Sequence, residues 1–179
     1  MAPMNSPNHR LLPLAALCAL ASLLTACGPV VTAVPDPPAV PTQTRLAAVQ
    51  AAAGAADTEL NVQPLRDPQV EDLREQAARA LAAGNADAAG EALNQALLVV
   101  PDDPAVLQER AEVALLQAQY ERAETLARRA YDVGSKVGPL CRRHWATIEQ
   151  VRLALGQAEN AASAQAQLKT CTVPGVTRY

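Results

Sequence analysis

Thiol and imidazole groups have the widest chemical range among the side chains of this 179-residue sequence. Its cysteines and histidines are Cys18, Cys27, Cys141, Cys171, His9 and His144. Thiols accept lipids, form disulfides and bind metals, but a metal site needs several ligands at short spacing. His144 has no cysteine pair at such a spacing and no acidic residue three or four positions away. The sequence therefore predicts no metal site, and it predicts that His144 lies on the surface or packs between helices.

Patterns typical of enzymes are absent from the sequence. It contains no Gly-rich phosphate loop, no serine-nucleophile elbow and no zinc motif. The acidic pairs Asp102-Asp103 and Glu121 with Glu124 fit helix caps and solvated helix faces. The 15 basic and 18 acidic residues give a net charge of −3, which argues against a nucleic acid partner. We therefore expect no enzymatic activity and no cofactor.

The N-terminal residues predict export. Residues 11–24, LLPLAALCALASLL, form an uncharged apolar run after Arg10. A membrane-spanning helix needs ~20 apolar residues, so this run is short for an anchor and typical of a signal peptide. We expect the signal peptide to cover residues 1–26.

The residues after this run suggest a lipid anchor. Leu24-Thr25-Ala26-Cys27, followed by Gly28, resembles the lipobox of bacterial lipoproteins. The resemblance implies cleavage before Cys27, a lipid on its sulfur and acylation, for example by palmitate, of the new N-terminus. An ordinary signal peptide that happens to contain a cysteine is the alternative. Gly28, rather than Asp, favours the outer membrane, with the protein facing the periplasm.

Residues 27–66 are predicted to be a lipidated, Pro/Ala-rich tether. Five prolines between residues 28 and 41 favour extended chain over packed structure. Residues 44–57, TRLAAVQAAAGAAD, could form a short helix, but Gly54 and the lack of a clear packing partner argue against it. We expect a disordered segment that holds the following domain away from the lipid surface.

An internal repeat of 34 residues begins after the tether. Asp67-Pro68 and Asp103-Pro104 fit an N-cap followed by proline in the first helical position. Placing residues 70–103 over 104–137 superimposes leucines and alanines at helical spacing. The aligned pairs include Leu73 with Leu107, Ala77 with Ala111, Leu81 with Leu115, Ala89 with Ala123 and Ala96 with Ala130.

This pattern resembles the tetratricopeptide repeat, a helix–turn–helix unit. The resemblance implies turns at Gly84-Asn85 and Ala118-Gln119, and an all-α, right-handed solenoid. Residues 67–137 supply two repeats. Residues 138–171, with a turn at Gly156-Gln157, form a degenerate third repeat or capping hairpin, and residues 172–179 form a C-terminal tail.

A disulfide between Cys141 and Cys171 is predicted for the third hairpin. Lipidation of Cys27 leaves these two thiols in an oxidising compartment. Each lies 15 residues from Gly156, so in an antiparallel helix pair both stand at the same height. Two buried free thiols are the alternative.

Protein binding is the function that the resemblance implies, because the first helices of stacked hairpins line a groove. Candidate groove residues are Glu71, Arg74, Leu81, Gln108, Glu112, Leu115, Arg143, Gln150 and Leu153. The three leucines form an apolar stripe along the open groove, or each is buried by the next hairpin.

The sequence therefore predicts an envelope scaffold or assembly factor that binds another envelope protein or peptide segment, and the bilayer through Cys27. Lipoproteins of similar plan include pilotins, outer-membrane assembly accessories and activators of cell-wall synthesis. The alternative is a self-associating structural spacer without a dedicated client. The oligomeric state stays open.

Overall fold

The structure is a computed structural model, and it describes residues 39–54 and 66–172. Every regular element in these ranges is a helix, as the sequence predicted. The helices are α1 Thr42–Ala52, α2 Pro68–Ala82, α3 Ala86–Val99, α4 Pro104–Leu116, α5 Tyr120–Val133, α6 Pro139–Ala154 and α7 Ala158–Thr170. Helices α2 to α7 form three successive hairpins, so the predicted all-α hairpin solenoid is confirmed. Within the described ranges, no helix has the length and apolar character needed to cross a membrane.

Aspartate caps begin the first helix of two hairpins. The Asp67 carboxylate accepts a hydrogen bond from the Gln69 backbone N–H at 2.8 Å. The Asp103 carboxylate accepts from the Ala105 N–H at 2.8 Å and from the Val106 N–H at 3.1 Å. Proline follows each cap, where its missing N–H would have had no helical partner in any case. The starts of α2 and α4 are therefore determined by local sequence.

One turn geometry closes all three hairpins. Gly84, Ala118 and Gly156 adopt left-handed backbone conformations, with φ values of 74°, 55° and 71°. In each turn the next residue donates its N–H to a carbonyl five residues earlier, at 2.8 to 2.9 Å. These bonds satisfy carbonyls that the end of a helix leaves without partners. The turns lie where the sequence placed them, including the Gly156 turn of the degenerate third hairpin.

Alanine occupies the crossings between helices. Ala77 is 3% exposed, and Ala111, Ala123 and Ala130 are completely buried. A methyl side chain lets neighbouring backbones approach closely, which explains how a chain with few aromatic residues builds a dense interior. Trp145 of α6 packs edge-to-face against Tyr131 of α5, with ring centroids 5.1 Å apart. This aromatic pair joins the second hairpin to the third.

The third hairpin contains the predicted disulfide. Cys141 and Cys171 are bonded, with Cα atoms 5.7 Å apart, and both side chains are fully buried. The Gly138 N–H donates to the Cys171 carbonyl at 2.7 Å, next to the disulfide. The covalent bond and the hydrogen bond together hold the end of α7 beside the start of α6.

Helix α1 departs from the sequence prediction. Residues 42–52 were expected to belong to an unpacked tether, but they form a helix that packs against α4 and α6. The tether prediction is wrong here because the helix does have a partner, with Val49 completely buried and Arg45 7% exposed. The signal peptide, Cys27, and most of the remaining tether and of the C-terminal tail lie outside the described residues.

The strained turn at Ala118 generates a stability prediction. A left-handed conformation costs a non-glycine residue roughly 1–2 kcal/mol, while glycine loses part of that gain through its more flexible unfolded state. Ala118→Gly should therefore raise the free energy of unfolding by about 0.5–1 kcal/mol, which urea denaturation can measure. Ala83→Gly is the matched control, because Ala83 is exposed with φ of −83° and glycine offers no relief there. Equal changes in the free energy of unfolding for Ala118→Gly and Ala83→Gly would contradict backbone strain at Ala118.

Candidate protein-binding groove

Helices α2, α4 and α6 carry a row of ion pairs that joins the three hairpins. The first link is Arg74 of α2, whose guanidinium donates to both carboxylate oxygens of Glu109 in α4, one of them at 2.9 Å. The same guanidinium bonds both oxygens of Glu71, at 2.8 and 3.0 Å. The hydrogen bonds to Glu109 raise the pKa of Arg74. Burial alone would raise the pKa of Glu71, but its bonds to Arg74 and Arg66 lower it. Arg74 and Glu71 are therefore both charged at neutral pH.

The second link joins α4 to α6. Arg143 donates two hydrogen bonds of 2.8 Å to the two oxygens of Glu112. This parallel arrangement is the strongest geometry for an arginine and a carboxylate. Glu112 is 6% exposed. Burial lowers the pKa of Arg143, but the bonds to Glu112 more than offset this and leave it raised. The pair fixes the angle between the second and third hairpins.

Gln108 lies behind this second pair and is completely buried. Its side-chain nitrogen donates to Glu112 at 2.8 Å and to the Thr147 hydroxyl at 2.9 Å. Its oxygen can only accept, so His144 Nδ1, at 2.7 Å, carries the proton and donates it. A polar group buried at this depth is costly without partners, and here every polar atom of Gln108 has one.

His144 is therefore a packing residue, one of the two roles that the sequence allowed. It is completely buried, and its Nε2 atom has no hydrogen-bond partner among the described residues. Burial, followed by the positive charges of Arg143 and Lys136, lowers the pKa of His144 to about 3. The ring is neutral at physiological pH. No group of three histidine, cysteine or acidic side chains suited to a metal occurs in the described part of the chain.

The nine predicted groove residues divide into three groups. Leu81 and Leu153 are exposed at 37% and 44%, whereas Leu115, Gln108 and Glu112 are buried. The remaining four, partly exposed, are Glu71, Arg74, Arg143 and Gln150. The prediction that Gln108 faces a client is wrong, because Gln108 is completely buried and bonds to α6 instead. Glu112 is also bonded to α6, through Arg143, but it stays at the wall of an open cleft. The three leucines do not form a continuous open stripe.

Leu115 is buried by α1, which neither alternative for the leucine stripe included. Val49 of α1 joins Leu115, Ala146 and Val151 in one apolar cluster. The Arg45 guanidinium donates to the Gln150 carbonyl at 3.2 Å. A valine four residues after an arginine is the signal by which the sequence could have revealed this contact, since that spacing places both on one helix face.

Arg142 of α6 holds the other end of α1. Its Nε atom donates to the carbonyls of Ala52 and Ala53, at 3.1 and 3.2 Å. These carbonyls belong to the last turn of α1, where cationic groups are favourable because of the helix dipole. The groove over α4 and α6 therefore already contains a helix from the same chain.

An open cleft of about 350 Å³ remains between α1 and α2. Its apolar lining includes Ala78 and Leu81. Its charged lining consists of Arg74, Arg143, Glu71, Glu75, Glu109 and Glu112. Four carboxylates against two guanidinium groups make the cleft acidic. A larger depression of about 500 Å³ beside Ala118 and Leu155 shares no residue with the ion-pair row.

Three stacked hairpins define the class of helical solenoids, and here the stack carries a charged cleft. No protein-family model and no curated protein matches the chain. Among solved structures, the fold is similar to the globular C-terminal domain of P. aeruginosa LpoP, with a TM-score of 0.56 and 28% identity. The match covers 59% of this chain and 99% of the other. This likeness supports a bacterial envelope lipoprotein, the coarse class that the sequence predicted.

The buried histidine generates a prediction about pH. The folded pKa of His144 lies near 3 and the ordinary value is 6.5, so the unfolded chain binds the proton more tightly. The stability due to neutral His144 is complete above pH 6.5 and is lost as pH falls towards 3. His144→Asn keeps a donor for Gln108 and removes this dependence. The loss of unfolding free energy from pH 7 to pH 4, measured in urea, should be smaller in the variant by roughly 3 kcal/mol. If the unfolding free energies of wild type and His144→Asn changed with pH in parallel, the assignment of His144 as buried and neutral would be contradicted.

Proposed function

We propose that this protein is a lipid-anchored, non-catalytic accessory protein of the bacterial envelope that binds a segment of a client protein in its open cleft. The observation that supports this proposal most directly is the acidic cleft beside Leu81. The Arg74 and Arg143 ion pairs hold the charged side chains of its walls in place before any partner binds. Preorganised side chains lose little conformational entropy when a partner binds. The cleft therefore suits a client segment that carries basic groups around an apolar side chain.

The client class within this proposal is a peptidoglycan synthase. Pilotins, outer-membrane assembly accessories and activators of cell-wall synthesis share the plan of a lipid anchor and helical repeats. Among these, the match to LpoP over nearly its whole globular domain favours the activators of cell-wall synthesis. We further propose that the hairpins are tetratricopeptide repeats. The spacing of 34 residues between the Gly84 and Ala118 turns supports this, as do the alanines at the crossings.

A non-catalytic role agrees with the chemistry of the described residues. His144 is neutral and completely buried, so it cannot reach a substrate. The carboxylates of the cleft that lie deepest, Glu109 and Glu112, are already engaged by arginines. The charged and apolar side chains of the cleft therefore suit the binding of a client segment.

A self-associating spacer is the second candidate, and one observation favours it. Leu98 of α3 is 83% exposed, an unusual exposure for a large aliphatic side chain. It lies in the first hairpin, whose outer side has no further hairpin in the described residues. Two copies that meet through Leu98 would bury it.

Site-specific photo-crosslinking in the native cell separates the two candidates. A photoreactive amino acid at position 81, on the edge of the cleft, should crosslink to a peptidoglycan synthase, identified by mass spectrometry. The matched position is 98, which is more exposed but lies on α3, outside the cleft. Synthase adducts from position 81 and none from position 98 support the proposal. Dimers of this protein from position 98, with no client from position 81, would replace it with the spacer.

The lipid anchor has its own test. A lipid on the Cys27 sulfur, together with the acylated N-terminus, supplies the several chains that stable membrane attachment needs. Cys27→Ser should therefore move the protein from the membrane pellet to the soluble periplasmic fraction, or leave an uncleaved precursor. Cys18→Ser, inside the predicted signal peptide, is the control and should change neither result. Mature Cys27→Ser protein that still pellets with membranes would contradict the lipobox assignment.

A further inference from the structure

Helix α1 covers an apolar surface that the hairpins complete without it. Leu115 and Ala114 of α4 lie together with Ala146 and Val151 of α6, and all four are at least 97% buried. Val49 is the completely buried side chain that α1 contributes to this cluster. This surface lies beside the open cleft, because Gln50 of α1 lines the cleft wall. Removing α1 would therefore join the surface and the cleft into one longer groove.

The contacts of α1 are few for a permanent part of a core. Only two of its eleven residues, Arg45 and Val49, are buried. The Nε atom of the buried Arg45 side chain has no hydrogen-bond partner among the described residues. Isolated helices shorter than ~12–15 residues are marginal in water, so α1 depends on these contacts to stay helical. The least stable helices of a protein are the ones that open locally.

The three hairpins can be compared in length with the similar LpoP domain. Helices α2 to α7 run from residue 68 to residue 170, which is 103 residues. The similar LpoP domain matches 59% of the 179 residues, or about 106, and it is matched over 99% of its own length. The match therefore has the length of the three hairpins.

We propose that α1 is an internal occupant of a helix-binding site on α4 and α6, and that a helix of the client displaces it. The client helix has the chemistry of α1: small residues, an aliphatic anchor at the position of Val49, and arginine four residues earlier. Arginine at that place donates a hydrogen bond to the Gln150 carbonyl, and Arg142 donates to the C-terminal carbonyls of the helix. The arginine also suits the adjoining acidic cleft.

This inference rests on the proposed function, because it names the kind of segment that the client inserts. It also has a consequence for affinity. A client helix meets a free site only in the fraction of molecules whose α1 is undocked. Its apparent dissociation constant is therefore the intrinsic constant divided by that fraction. Helix α1 thereby sets a threshold against weakly matching helices.

The test uses a labelled peptide with the sequence of residues 41–54 as the probe, and full-length mature protein. The site is free in Val49→Asp protein, because the buried carboxylate expels α1 while leaving α4 and α6 unchanged. Fluorescence anisotropy should show the peptide binding this variant about ten- to a hundredfold more tightly than wild type. Ala48→Asp is the matched control: it places the same charge on the exposed face of α1 and should behave as wild type.

Val49→Ala covers the case in which Val49→Asp does not fold. This substitution weakens α1 docking without burying a charge. The affinity of Val49→Ala protein for the peptide should then lie between that of wild type and that of Val49→Asp. Equal peptide affinity in wild type and both Val49 variants would overturn the proposal. Dimeric wild type with monomeric Val49→Asp, measured by light scattering, would also overturn it, because α1 would then be exchanged between two copies.

The two proposals fail separately. The peptide assay contains no client, so peptide binding without a synthase adduct at position 81 would leave the helix-binding site and remove only the proposed client. A synthase adduct with equal peptide affinities would keep the client and remove the role of α1.

Discussion

The arrangement of the second and third hairpins depends on the desolvated polar cluster around Gln108. Its amide nitrogen donates hydrogen bonds to Glu112 and Thr147, and its oxygen accepts one from His144 Nδ1, so that α4 and α6 share one hydrogen-bond network. Buried polar groups tolerate few geometries, because each lost partner costs about 1–3 kcal/mol. Alanine crossings alone would let the helices slide, since one methyl group resembles another. The polar cluster selects one packing among many of similar apolar burial.

Two kinds of local signal made most of the fold predictable. Asp67 and Asp103 followed by proline specify helix starts through hydrogen bonds within three residues, and Gly84 and Gly156 specify turns through backbone freedom. Both effects act over less than two helical turns, so they need no knowledge of the tertiary structure. The Cys141–Cys171 pairing followed from two arguments: no other thiol competes for either cysteine, and both lie at the same height above the Gly156 turn.

The contents of the groove were not predictable in the same way. The repeat pattern identifies the helix face of Gln108, Glu112 and Leu115, but not what covers that face. Their burial depends on partners more than 30 positions away in α6 and on α1, far back along the chain. Helix α1 itself has one buried aliphatic residue among alanines, so its sequence carries almost no amphipathic signal. The periodicity of a sequence does not reveal which distant residues a small or polar side chain will contact.

The Cys141–Cys171 bond makes the stability of this domain a property of its compartment. Thiols stay reduced in a bacterial cytoplasm, and the terminal hairpin there lacks a covalent link that is worth about 3–4 kcal/mol for a loop of this length. A newly made chain is therefore easier to keep unfolded before it crosses the inner membrane than after it. Oxidation on the far side then holds the terminal hairpin closed, because the disulfide joins its two helix ends covalently.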